Sequence, residues 1–182
     1  MDVFGFLGRG RYERVGYELY GQAVAAAREP GFYTLLGVPD TLDGRFDIVG
    51  LHVFLLIRRL GALPAPGPAL AQTVFDAMFS DMDVNLREMG VGDLSVGKRV
   101  RAMWEAFHGR STAYGGALEA GDAALLAAAL ERNVWRGKPA GSASAKLAML
   151  AMTQDAHLAT QDLAGLAKGV VSFLPFPREI AA

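Results

Sequence analysis

Residues 46–60 read FDIVGLHVFLLIRRL. This run is apolar on nearly every face of a helix and does not alternate as a half-buried strand would. A helix of that kind belongs at the centre of a protein, walled on all sides by other elements. Asp47 and His52 interrupt it and Arg58-Arg59 closes it, so it falls short of the roughly 20 apolar residues that span a bilayer.

The walls are legible on both sides of that run. Residues 61–68, GALPAPGP, form a stiff connector. From about Pro68 to Met89, Leu70, Val74, Met78, Met82 and Leu86 recur at four-residue steps, Phe75 and Phe79 widen the face, and Gly90 stops the helix. The next helix is expected after a cap at Asp93 or Ser95, carrying Val96, Val100, Met103, Phe107, Tyr114 and Leu118 on one stripe. Another follows from Asp122 to Trp135, burying Leu125, Leu126, Leu130 and Val134. On the amino-terminal side, an alanine-rich helix runs from about Tyr12 to Arg28 and ends at Glu29-Pro30-Gly31. The loop 30–44 carries Phe32, Tyr33, Leu35, Leu36 and Val38, which implies that it packs on the body. Residues 136–144, RGKPAGSAS, read as a flexible linker to a last helix at about 145–168.

The expected fold is therefore all-α, a single-domain bundle of about six helices with the last beyond a flexible linker. The expected division is a flexible stretch 1–11, a main domain 12–135, a linker 136–144, and a C-terminal helix and tail 145–182. That last helix is a candidate mobile element, or a contact for a second copy of the chain.

Composition agrees and excludes several chemistries. Of 182 residues, 52% are hydrophobic and 20% charged, which is a globular balance. Thirty alanines against 22 glycines favour packed helices. Eighteen cationic and 19 acidic side chains leave a net charge of -1, which argues against DNA as a partner. With no cysteine there is no disulfide, thiolate ligand or cysteine nucleophile. The opening MDVFGFLGRGRYER lacks the basic stretch and long apolar run of a secretory leader, so a cytoplasmic location is expected. Phe4, Phe6 and Leu7 beside Arg9, Arg11 and Arg14 are suited to a peripheral touch on an anionic membrane.

Sequence patterns for catalysis are missing. There is no nucleophile elbow, phosphate loop or dinucleotide fingerprint. Asp76, Asp81, Asp83 and Glu88 lie on one helix, but no Glu-x-x-His pair faces them, and Asp81 and Asp83 diverge around the helix axis. Asp83 and Arg87 have the spacing of an i,i+4 ion pair. His52, amid apolar neighbours, reads as a hydrogen-bonded core histidine. Lys98, Arg99 and Arg101 open a helix against its dipole, a small cost that hints at a surface role, and Arg58, Arg59 and Arg110 add to the cationic total.

Three stretches resemble the ubiquinol–cytochrome c reductase chaperone family, bacterial relatives of a mitochondrial assembly factor for cytochrome b. Residues 32–60 carry Val38-Pro39-Asp40-Thr41, Asp43-Gly44-Arg45-Phe46-Asp47 and Leu51-His52. Residues 75–93 carry Met78-Phe79, Asp81-Met82-Asp83, Leu86-Arg87-Glu88 and Gly90-Val91-Gly92-Asp93. Residues 96–114 carry Gly97-Lys98, Met103, Phe107, Gly109-Arg110 and Tyr114. The resemblance covers about residues 12–135, with the chain from Arg136 onward outside it.

The resemblance implies a non-enzymatic chaperone, without cofactor, that binds newly made cytochrome b. It further implies work near the ribosomal tunnel exit, beside a small partner protein, peripheral to the inner membrane. The side chains expected to meet partners are Lys98, Arg99, Arg101, Arg58, Arg59 and Arg110. The motif residues are expected to be structural: Asp43 or Gly44 capping the central helix, Asp47 in its first turn, and Arg45, Arg87 and Arg110 tying loop to helices through Asp40, Asp83 and Glu88. The competing expectation is an enzyme or small-molecule binder with a cleft formed by Asp40, Asp43, Arg45 and His52. Met149 and Met152 are expected to be more exposed than Met78, Met82 and Met103.

Overall fold

A computed structural model describes the backbone of residues 3–177 and the side chains of residues 12–177. Its helices are α1 (Val3–Ala27), α2 (Gly31–Thr34), α3 (Leu42–Gly61), α4 (Gly67–Glu88), α5 (Asp93–Ala120), α6 (Ala123–Val134), α7 (Ala143–Ala159) and α8 (Leu163–Leu166). Among the described residues there is no strand, and no helix is long and apolar enough to cross a membrane. The architecture is the expected all-α bundle.

The central run folds as α3, and it is the hub. Helices α1 and α4 pack on it and on each other, as do α6 and α7. Ile48, Val53, Leu55, Leu56 and Leu60 are at most 1% exposed, each side chain contributing about 1.5–3 kcal/mol by leaving water. The helix begins earlier than the apolar pattern does because Thr41 caps it, its hydroxyl accepting from the Gly44 N–H at 3.2 Å. Thr41 thus takes the cap expected of Asp43 or Gly44. Gly44 has a different duty: it is buried, and a Cβ there would stand 2.0 Å from the carbonyl oxygen of Pro39. The loop before α3 lies on the body through Phe32, Leu36 and Val38, and adds the single-turn helix α2.

Helix α4 buries Leu70, Val74, Met78, Met82 and Leu86, as its four-residue steps require, and Gly90 ends it at φ +78°. Helix α5 follows directly on Gly92, without the side-chain cap expected of Asp93 or Ser95. Before Phe107, α5 buries Val96 alone, so its first half projects past the core. Helix α6 is capped by Asp122, which accepts from the Leu125 N–H at 2.9 Å. Leu125 itself is 49% exposed, contrary to expectation, because the buried face runs through Leu126, Ala129, Leu130 and Val134.

At the termini the sequence expectations need correction. The backbone is already helical from Val3, ahead of the expected start at Tyr12. The side chains of Phe4, Phe6, Leu7, Arg9 and Arg11 lie outside the described residues. Toward the C-terminus, α7 is part of the body: Leu147, Ala148, Ala151 and Leu158 are buried against α3 and α6. The connection before it is held down by Arg136 and by Ser144, whose hydroxyl donates to Glu131 Oε2 at 3.0 Å. The expected helix to Lys168 stops at Ala159, where the Thr160 hydroxyl bonds the His157 carbonyl at 2.7 Å. Asp162 then caps α8. Residues 170–177 return as an extended tail across α1 and α7.

Candidate functional site

The motif residues do not form one cluster; they divide among a buried charge node, an exposed pair, a groove and a core histidine. Asp47 is the centre of the node. Its side chain is 1% exposed and is faced by Arg110 of α5 and, at 2.8 Å, by Nη1 of Arg136. The Arg110 guanidinium also lies 5.8 Å from the centre of the Phe46 ring, within cation–π range. Neither Asp47 oxygen makes an aligned hydrogen bond. Burial therefore outweighs the two cations and pushes the carboxyl up to about 6. Asp47 does not hold the first-turn place expected of it, because α3 begins at Leu42 and the acid in its first turn is Asp43.

Arg45 pairs with Asp40 at 2.6 Å, with both side chains more than half exposed. Arg87 binds Asp83 at 2.6 Å and also Asp93, as the i,i+4 spacing required. Arg45 and Arg87 thus brace their own helix ends, while Arg110 reaches Asp47 and none of the carboxylates expected for it. Asp81 accepts the Tyr20 hydroxyl at 2.7 Å, joining α4 to α1.

His52 is 3% exposed, with Nδ1 2.8 Å from the Ile48 carbonyl oxygen. Burial holds its pKa down to about 4, so the ring is neutral at ordinary pH. It packs against Phe32 and Phe173 at 5.5 Å between ring centres. The cleft expected of Asp40, Asp43, Arg45 and His52 does not form. Asp40 and Arg45 satisfy each other on the surface, Asp43 lies 4.0 Å from Arg136, and His52 faces a separate apolar cavity. Among the described residues, no three His, Asp or Glu side chains gather as metal ligands.

Two surfaces remain open. A groove of about 490 Å³ runs between α1, the 30–45 loop, α3 and α4. Val49, Met82, Leu86 and Met103 supply its apolar lining, with Arg28 and Asp81 among its charged groups. The second is the projecting half of α5, where Lys98, Arg99 and Arg101 are exposed. Arg101 pairs with Glu105 at 3.0 Å, while Lys98 and Arg99 have no ion-pair partner among the described residues. Arg58, Arg59 and Arg110 do not join this surface. Arg58 bridges Glu119 (3.0 Å) and Asp155 (3.3 Å), and Arg59 donates to the Gln161 carbonyl at 3.2 Å. These arginines knit α3 to α5 and to the C-terminal segment.

Comparison with known proteins identifies the frame that these residues serve. Residues 34–173 match the family model described as ubiquinol–cytochrome C chaperone. The chain belongs to the ubiquinol–cytochrome c chaperone family. It is similar to the crystal structure of the Cbp3 homolog from Brucella abortus, with a TM-score of 0.82 at 35% identity, over 95% of this chain and 97% of that one. It is also 27% identical over 103 residues to ubiquinol-cytochrome-c reductase complex assembly factor 1 of Xenopus laevis. That match takes in 57% of this chain and 51% of the relative, so the chain spans about half the relative's length in that alignment.

The chaperone family match extends to residue 173, past the limit of 135 expected from the motifs. Helix α7 and much of the tail are therefore family structure. Two members of the site were missed by sequence reading: Arg136, placed in a linker, and the tail around Phe173. The available signal was the aromatic repeat Phe173-Leu-Pro-Phe176 in a segment otherwise too short and proline-rich to be a helix.

Proposed function

We propose that this chaperone-family chain assists assembly of the cytochrome bc1 complex by holding newly made cytochrome b. The match over residues 34–173 carries this reading, supported by the relative whose name is a reductase complex assembly factor. The methionine-bearing groove suits an apolar client segment, because thioether side chains adapt to varied shapes. The exposed Lys98, Arg99 and Arg101 suit contact with an acidic surface: the ribosome near its exit, or a small partner protein. Such contacts would keep the chaperone cytoplasmic and peripheral to the inner membrane, with no catalytic step of its own.

The test is a reduced-minus-oxidised difference spectrum of membranes from a deletion strain, with and without the gene restored. Selective loss of the b and c1 haem signals, recovered on complementation, is the expected result. An unchanged spectrum with normal bc1 turnover overturns the assignment.

A further inference from the structure

The C-terminal tail is gripped in an unusual way. Three glutamines bind its main chain, each through both ends of its side-chain amide. Gln22 of α1 donates to the Gly169 carbonyl at 2.6 Å and accepts from the Val171 N–H at 3.1 Å. Gln161 donates to the Ser172 carbonyl at 2.7 Å and accepts from its N–H at 2.9 Å. Gln154 of α7 does the same with Leu174, at 2.7 and 3.0 Å. An extended peptide presents such donor and acceptor pairs whatever its sequence, which is how sheet edges capture foreign strands.

The side chains of the tail are held less completely. Phe173 packs on His52, and Phe176 on Phe32 with ring centres 5.0 Å apart. Gly31 makes room for the Phe176 ring, since a Cβ there would stand 2.4 Å from it. Of the tail's other apolar side chains Val171 is buried, at 6%, while Val170 is 62% and Leu174 37% exposed. An apolar cavity of about 310 Å³, lined by Leu55, Leu147 and Leu150 among others, remains beside Phe176. The receptor has more apolar room than the tail uses.

From this geometry we infer that the groove between α1 and α7 is a binding site for an extended segment of a partner polypeptide. That segment carries two large apolar side chains three residues apart, and the chain's own residues 169–176 occupy the site in its absence. The inference does not rest on the client proposed above. A tethered tail competes at an effective concentration in the millimolar range, so an outside peptide binds measurably only when the tail yields.

The test uses the full chain and a fluorescein-labelled peptide of sequence GVVSFLPFP, read by anisotropy. The double variant Phe173→Ala/Phe176→Ala weakens the tail without altering the receptor. It should bind the peptide at least about tenfold more tightly than the unaltered chain, because the competing occupant is removed. Adding Gln154→Ala and Gln161→Ala, or Gly31→Ala, should abolish that gain. A peptide with both phenylalanines replaced by alanine should not bind. Equal binding by both chains, or none by a folded double variant, overturns the inference. Hydrogen exchange on the unaltered chain tests the same point independently of any variant. The Val171, Ser172 and Leu174 amides should exchange faster than global unfolding allows, and exchange only on global unfolding makes the tail a fixed strap. Dimers that exchange tails in light scattering would assign the site to a second copy and overturn the partner.

Discussion

Asp47 of α3 and Arg110 of α5 form an ion pair in which the carboxylate is 1% exposed and the guanidinium side chain 18%. The pair is completed from the far side of α6 by Arg136. Losing both cations would leave Asp47 an uncompensated buried charge, at a cost of about 3–5 kcal/mol. Arg110→Ala, with Arg136 still 2.8 Å from the carboxylate, should lose part of that in urea unfolding. Replacing Asp47 and Arg110 together by leucine and methionine should recover much of the loss. A loss below about 1 kcal/mol for Arg110→Ala, the scale of a solvated surface pair, would mean that the node is a surface pair in effect.

Stability should be nearly flat between pH 4 and 6 because two buried groups oppose each other. Asp47 titrates near 6 folded, against an ordinary value of 3.8. Its contribution is full below about pH 4 and is lost as pH rises through 6. His52 titrates near 4 folded, against 6.5, so its contribution is full above about pH 6.5 and is lost as pH falls through 4. Each spans roughly 3 kcal/mol. Chemical unfolding across this window should show a falling stability with rising pH in His52→Gln and a rising one in Asp47→Asn. Parallel curves for the two variants would contradict both assignments.

Gly44→Ala should destabilise the start of α3 by about 1–3 kcal/mol or more, as overpacking against rigid backbone does. The new methyl would meet the Pro39 carbonyl oxygen, which cannot rotate away. Gly97→Ala, on α5 with nothing within 4 Å, is the control and should melt at or above the unaltered temperature. If both variants behave alike in calorimetry, the close approach at Pro39 is not present in solution.

Charge reversal at Lys98, Arg99 and Arg101 should leave the helical circular dichroism and the melting temperature unchanged, while weakening the client or ribosome association that we propose for this chain. Arg58→Glu should instead lower the melting temperature, since it breaks contacts to both Glu119 and Asp155. A collapse of helicity in the triple reversal would remove these residues from the surface role.

Leu147→Ala and Leu158→Ala should each cost about 2–5 kcal/mol, the range for a buried leucine truncated in a tight core. Both side chains are fully buried. Small losses, below about 1 kcal/mol, would restore α7 to the status of a peripheral appendage.

Much of the bundle was legible because helical burial has a short period. Leu70 through Leu86 could be assigned to one face without knowing what lay opposite. His52 was legible for the same reason, since its partner is the carbonyl of Ile48 four residues back. What escaped depends on long-range partners. Arg58 and Arg59 count as a cationic patch until Glu119, Asp155 and Gln161 are placed beside them. Arg136 reads as part of a glycine-rich linker until Asp47 is buried next to it. The helix caps were misplaced by only a few residues, because Thr41, Gly92, Asp93 and Ser95 all have capping chemistry and only backbone geometry chooses among them.

The chain has two tryptophans, and the fold gives them separate surroundings. Trp135 is 8% exposed, with its indole N–H donating to the Gly37 carbonyl at 3.2 Å. Trp104 is 44% exposed on the projecting half of α5, stacked on His108 with ring centres 4.0 Å apart. Trp104→Phe therefore leaves a single fluorophore whose emission follows the closure of loop 30–44 over α6. Trp135→Phe leaves one on the same half of α5 as Lys98, Arg99 and Arg101, one turn from Arg101, and it reports on what docks against that face. The natural sequence thus contains two intrinsic optical probes, one for folding and one for recognition, and a single conservative substitution isolates either.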